Sequence, residues 1–102
     1  MNYKLLGNAG VRVSEICLGT MTFGSDTDFG CDYETSKKIF DIYVNKGGNF
    51  IDTANIYTAG NSEMITGDLI RAERDHFVLA TKYTLFDKKG DPNFSGNSRK
   101  NM

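Results

Sequence analysis

The spacing of apolar positions changes repeatedly along the chain, and each change marks an element. Residues 3–6 (Tyr-Lys-Leu-Leu) and 11–15 (Val-Arg-Val-Ser-Glu) are two short extended stretches around the turn-forming Gly7, Asn8, Ala9 and Gly10, which predicts a β-hairpin. Residues 16–21, Ile-Cys-Leu-Gly-Thr-Met, are a nearly unbroken apolar run of strand length, the pattern of a strand covered on both faces. The run stops at a Gly- and Asp-rich loop over 23–30.

After Asp32, a candidate N-cap, the period lengthens. Ile39, Phe40, Tyr43 and Val44 fall on one stripe while Lys37, Lys38, Asp41 and Asn45 face water, which predicts a helix over 33–46. Gly47 and Gly48 supply the left-handed residue that ends it. A second buried strand follows at 49–53, then a polar turn through Thr58, Ala59 and Gly60. Asn61 or Ser62 caps the next helix, which runs to about Glu73 with Ile65, Leu69 and Ala72 inward. Gly67 inside it costs about 1 kcal/mol relative to Ala and predicts close approach by a neighbouring backbone.

A third apolar run occupies 77–82; the composition then turns polar over 87–96, and Asn97 or Ser98 offers a further cap. The order hairpin, strand, helix, strand, helix, strand predicts right-handed parallel βαβ units, in a Rossmann-type sheet or a (β/α) barrel. Residues 1–15 form the hairpin, 16–85 the βαβαβ run, and 86–102 a loop and the start of a helix, all within one domain. A cap with no helix behind it and three strands with no fourth predict a larger fold cut short.

Twelve Lys and Arg against thirteen Asp and Glu leave a net charge of −1, so no global field favours nucleic acid or an anionic membrane. Apolar runs fall far short of the roughly 20 residues of a membrane span, and residues 1–6 lack a secretory pattern. A soluble, cytoplasmic protein is expected. Cys17, Cys31 and a single His support neither a zinc cluster nor a disulfide framework, so no metal is expected and both thiols read as inert.

Several motifs drop out. No G-x-G-x-x-G follows any candidate strand, Asn97 stands where a phosphate loop requires Lys, and the Asn93-Phe94-Ser95 triplet reads as a polar loop. His76 opens the third strand, about 20 Å from Lys82 at about 3.3 Å per residue. In parallel α/β folds the chemistry sits at the carboxyl ends of strands, so His76 is at the wrong end for a general base.

Three polar residues do lie at carboxyl ends: Asp52 closes the second strand, Lys82 closes the third, and Tyr57 follows Asp52 in the loop. Opposite charges at the same end of adjacent strands are sensible if they pair, and a structural ion pair is one reading. The sharper reading adds Tyr57. A phenol, with an ordinary pKa of about 10, is a poor acid at neutral pH, but a neighbouring ammonium favours the phenolate. At about 4 Å and an effective dielectric near 20 that interaction is of order 4 kcal/mol, enough to make Tyr57 a proton donor to a carbonyl oxygen.

The same residues carry a resemblance. Residues 18–24 (Leu-Gly-Thr-Met-Thr-Phe-Gly), 48–57 (Gly-Asn-Phe-Ile-Asp-Thr-Ala-Asn-Ile-Tyr), 60–63 (Gly-Asn-Ser-Glu) and 79–82 (Leu-Ala-Thr-Lys) together resemble the aldo-keto reductase family, in one register from Tyr3 to Met102. The resemblance implies an α/β fold, a (β/α)8 TIM barrel closed at its base by the N-terminal hairpin, of which this chain covers the hairpin and about the first three βα units. It implies NADPH bound in an extended pose without a Rossmann domain, with hydride passing to a small aldehyde or ketone and a tyrosine protonating the oxygen. By position Tyr57 resembles the proton donor, Lys82 the lysine beside it, and Asp52 the carboxylate that pairs with the lysine near the nicotinamide ribose. Gly19, Thr20 and Met21 resemble the loop that lines the cofactor.

The family's histidine at the end of the fourth strand has no counterpart in these residues, nor do the later loops that hold the cofactor's phosphates and adenine. The chain alone is therefore expected to be inactive and to self-associate through an open sheet edge. The alternative is a non-catalytic product: a binding protein, or a reductase-like subunit that regulates membrane channels.

Overall fold

The helix after Asp32 forms because its first turn is capped. In the computed structural model, which describes residues 1–25 and 27–102, the Asp32 carboxylate accepts from the Thr35 N–H at 2.8 Å and α1 spans Tyr33–Asn45. Those hydrogen bonds from Thr35 hold the exposed Asp32 carboxyl below the ordinary range. Gly47, at φ 91°, reverses the chain, and Gly48 has to be glycine: a Cβ there would sit 2.2 Å from the Tyr43 ring. The buried stripe is Ser36, Phe40 and Tyr43; Ile39, expected inward, is exposed. Of the loop over 23–30, Asp26 lies outside the described residues.

The hairpin pairs β1 (Tyr3–Leu5) with β2 (Arg12–Ser14). The parallel sheet has the order β3 (Leu18–Gly19), β4 (Phe50–Asp52), β5 (Val78–Ala80), as the βαβαβ reading requires. Its strands are shorter than the apolar runs over 16–21, 49–53 and 77–82. Among the described residues β3 and β5 each pair on one side only, so their ends have no ladder to extend, and Ile16 and Met21 are exposed.

Helix α2 (Asn61–Ile70) departs from expectation at its start and in its rotation. Its N-cap is Gly60, at φ 93°, not Asn61 or Ser62. The buried face is Ser62, Thr66 and Ile70, while Ile65 and Leu69 are half-buried and Ala72 is exposed. The Ser62 hydroxyl is drawn into the end of the sheet, and the helix turns with it. A tighter 3₁₀ segment, Arg71–His76, continues to β5. A Cβ at Gly67 would meet nothing within 4 Å, so no backbone approaches there.

One core joins the sheet to both helices: Phe40, Tyr43, Ile51, Ile70 and Phe77, with Leu18, Val44, Leu69 and Leu79 against it and the Phe40 and Phe77 rings 5.4 Å apart. Tyr43 fastens the hairpin side to this core. Its hydroxyl accepts from the Phe50 N–H at 3.0 Å and lies 2.8 Å from the Ile16 carbonyl, and Asn49 accepts from the Ser14 N–H at 2.8 Å. The next polar segment folds over itself, with Asp87 N–H donating to Phe94 O and Gly96 N–H to Thr84 O. Ser98 then caps one turn by accepting from Asn101 N–H. No helix among the described residues is long and apolar enough to cross a membrane.

Strand alternation divides the sheet. Leu18, Ile51 and Leu79 face the helices, so Cys17, Gly19, Phe50, Asp52, Val78 and Ala80 face the other way. That second face is only partly covered, and it carries the site.

Candidate active site

Parallel register fixes the first two residues. Asp52 pairs with Ala80, so Lys82, two positions on, emerges on the same face just beyond the carboxyl end of β5. Its ammonium donates to both Asp52 oxygens at 2.9 and 2.8 Å and to the Thr53 carbonyl at 2.8 Å, and it lies 3.3 Å from the Tyr57 hydroxyl. Asp52, Tyr57 and Lys82 therefore meet at one nitrogen.

The Lys82 and Asp52 side chains are 48% and 38% exposed, so no burial penalty forces them together. An ion pair this open is worth about 0–1 kcal/mol and contributes little to folding. Partial burial lowers the Lys82 pKa, but the hydrogen bonds to Asp52 and Tyr57 outweigh it and hold the group above the ordinary lysine value. Raised in the fold, Lys82 gives a stabilisation that is whole below the ordinary lysine pKa and is lost only as pH rises through the raised one. At neutral pH the ammonium is intact.

Tyr57 reaches Lys82 because the chain turns sharply behind it. The turn Tyr57–Gly60 carries Thr58 and Ala59 at φ 47° and 55°, with Gly60 after them. Asn55 fixes the stretch before the turn: its N–H donates to the Lys82 carbonyl and its amide to Phe86 O, at 3.1 Å each.

A layer of buried hydroxyls supports the strand ends. Ser62 donates to the Thr20 carbonyl at 2.6 Å, Thr53 Oγ1 lies 3.0 Å from Ser62 Oγ, and Thr20 Oγ1 donates to the Asp52 carbonyl at 3.0 Å. All three side chains are almost fully buried. Ser62→Ala is expected to lower stability by about 1–3 kcal/mol in a complete barrel carrying these residues, because it leaves buried partners unmatched. Denaturant unfolding measures it, and an unchanged midpoint would show that the layer is dispensable.

Of the three residues expected to line a cofactor, Gly19 and Met21 are exposed, whereas Thr20 is fully buried and acts behind the surface. Its backbone N–H is also spent on the Asp52 carbonyl. Gly19 pairs directly with Asp52, and a Cβ there would meet nothing within 4 Å, so bare backbone lies open beside the carboxylate. Cys17 shares this face. Burial, and then the Asp52 carboxylate, push its thiol pKa up against the pull of Lys82, which keeps it in the less reactive form. His76 lies at the amino end of β5, edge-on to Phe77 at 4.9 Å, away from the cluster. The described residues hold no cluster of metal ligands.

Two cavities flank Tyr57. One of about 180 Å³ runs past Ala54, Ile56, Lys82 and Leu85; the other, of about 320 Å³, past Met21, Phe29, Ile56 and Thr58. Sequence reading missed Thr53, Thr58 and Ser62 as parts of the site. Their one signal is a hydroxyl interrupting or following an apolar run.

The chain resembles known proteins over most of its length. Residues 15–102 match the profile described as Aldo/keto reductase family. The norsolorinic acid reductase of Aspergillus flavus is 44% identical over 108 residues, 96% of this chain and 28% of that protein. The aryl-alcohol dehydrogenase (NADP(+)) of Phanerodontia chrysosporium is 40% identical over 113 residues, 97% and 29% of the two. Among solved structures, an aldo-keto reductase of Bacillus halodurans in its holo form superposes with a TM-score of 0.76 at 29% identity, over 90% of this chain and 29% of that one. The chain thus spans less than a third of the length of these relatives.

Proposed function

The chain belongs to the aldo/keto reductase family, and from that premise we propose that Asp52, Tyr57 and Lys82 are the proton-delivery cluster of an NADPH-dependent reductase of small aldehydes and ketones. The observation that carries this reading is the single Lys82 nitrogen bonded to both Asp52 oxygens and placed 3.3 Å from the Tyr57 hydroxyl. The three strands and the hairpin correspond to the start of the family's (β/α)8 barrel, whose chemistry sits at the carboxyl ends of its strands.

Each residue has one task. The Tyr57 hydroxyl gives its proton to the substrate oxygen as negative charge develops there. Lys82 stabilises the charge left on the phenolic oxygen, and Asp52 with the Thr53 carbonyl holds the ammonium in place. The open Gly19 backbone beside Asp52 fits the flat nicotinamide end of the cofactor, with Met21 at its margin; NADPH, when bound, supplies the hydride. Met21, Phe29, Ile56 and Leu85 around Tyr57 suit a carbonyl with an apolar substituent, in keeping with the aryl-alcohol dehydrogenase among the relatives. A soluble, cytoplasmic setting is consistent with this chemistry. The convergence of three ionisable groups is what proton delivery to a carbonyl requires, and it supports the enzyme reading.

Lys82→Met tests the cluster. In a complete barrel carrying these residues, kcat for an aromatic aldehyde is expected to fall about 10²-fold or more, because the cation that stabilises the charge left on the phenolic oxygen is gone. The assay follows oxidation of the reduced nicotinamide. A kcat within about twofold of the parent would reduce Lys82 to a structural role.

A further inference from the structure

Tyr57 is followed by three consecutive residues in the left-handed region, and only the last, Gly60, is a glycine. Thr58, at φ 47° and ψ 44°, is the most unusual, since a β-branched side chain strains that backbone. Something must hold it there. The Thr58 side chain is buried, and its hydroxyl donates its one proton to the Phe23 carbonyl at 2.6 Å while lying 2.8 Å from the Tyr57 carbonyl. Phe23 is itself buried, and its N–H donates to the Thr20 carbonyl, which is tied through Ser62 to the end of β4. One hydroxyl thus joins the loop after β3 to the loop that carries Tyr57. The joined loops form the walls of the 320 Å³ cavity, with Met21, Thr27 and Phe29 on one side and Ile56 and Tyr57 on the other.

We propose that Thr58 is a positioning residue: its hydroxyl latches the β3 loop to the backbone of Tyr57, aims the phenol at Lys82, and sets the width of the cavity that receives the substituent of the carbonyl substrate. The proposal rests on the reading of Tyr57 as proton donor and goes beyond it by assigning fine specificity to a residue that touches neither Lys82 nor Asp52. The latch and the backbone conformation are separable. Glycine enters the left-handed region without strain, so Thr58→Gly keeps that backbone conformation accessible and removes the whole side chain, hydroxyl and methyl together, while Thr58→Ser keeps the hydroxyl and removes only the methyl; a loss in the first that is absent from the second belongs to the hydroxyl-bearing part.

The test uses a complete barrel carrying these residues, with benzaldehyde and the bulkier 2-naphthaldehyde as probes and Tyr57→Phe alongside. Thr58→Gly is expected to bind NADPH within about twofold of the parent, to lose about tenfold in kcat, and to change its ratio of KM between the two aldehydes, because a loosened donor loses rate steeply with misplacement. Thr58→Ser is expected to stay within about twofold on every measure. If Thr58→Gly matches the parent in kcat and in KM for both aldehydes while Tyr57→Phe is inactive, the latch is overturned and the proton-donor reading stands. A Thr58→Ser variant as impaired as Thr58→Gly overturns the hydroxyl's role even where the glycine variant folds poorly. An active Tyr57→Phe overturns both.

Discussion

Tyr57→Phe is expected to lower carbonyl reduction by about 10³-fold in a complete barrel carrying these residues, while NADPH binding stays nearly intact. The substitution removes one hydroxyl and leaves the ring, the turn and both flanking cavities in place. Of the four oxygens around the Lys82 ammonium, the phenolic one is the most distant, at 3.3 Å against 2.8–2.9 Å for the others. Asp52 and the Thr53 carbonyl therefore keep Lys82 where it is, and the surface from Gly19 to Asp52 is untouched. What disappears is the proton the substrate oxygen needs. Steady-state kcat with an aromatic aldehyde, together with a fluorescence titration of NADPH, separates the two effects. A variant with the parent's kcat would remove Tyr57 from the chemistry and leave the cluster an exposed ion pair.

The cluster was legible in the sequence because two simple regularities placed it. Strand-length apolar runs ended at Asp52 and Lys82, and parallel pairing puts such ends on one side of the sheet; the Asp52 to Ala80 register then brings the two charges together. The role of Tyr57 came from the resemblance and from the effect of a neighbouring ammonium, not from periodicity. The supporting layer was invisible to hydropathy. Ser62 and Thr66 count as polar, yet they occupy the buried face of α2, and Ser62 does so by spending its hydroxyl on the Thr20 carbonyl. The same bias placed Ile65 and Leu69 fully inward and made Ser62 a candidate cap. Thr58 was hidden for another reason: the left-handed region is normally read from glycine or asparagine, and here it is imposed on a threonine by tertiary hydrogen bonds. Strand lengths were overestimated because an apolar run shows where a strand can form, whereas its observed length depends on neighbours on both sides.

Expressed by itself, the 102-residue chain is expected to be molten or self-associating, and saturating NADPH is expected to leave its melting temperature unchanged. A well-packed monomer of 11.3 kDa exposes about 5,700 Å² by the usual scaling with mass, whereas this chain exposes 6901 Å². Its radius of gyration, 14.6 Å, likewise exceeds the roughly 13 Å of a compact domain of this length. The excess has an evident location. Among the described residues both outer strands of the parallel sheet have an unpaired edge, and Ile16, Met21, Ile42 and Leu85 are largely exposed. Parallel sheets are stable almost only when both faces are covered, and here α1 and α2 pack on one face. Edge pairing between copies is the cheapest way to bury what is left. A ligand raises the melting temperature only of the state that binds it, and the residues proposed for the cofactor, Gly19, Met21 and Asp52, would meet only its nicotinamide end. Light scattering and thermal melting with and without NADPH decide the matter. A sharp, cooperative melt of a monomer, moved upward by the cofactor, would show that these residues already form a complete binding site.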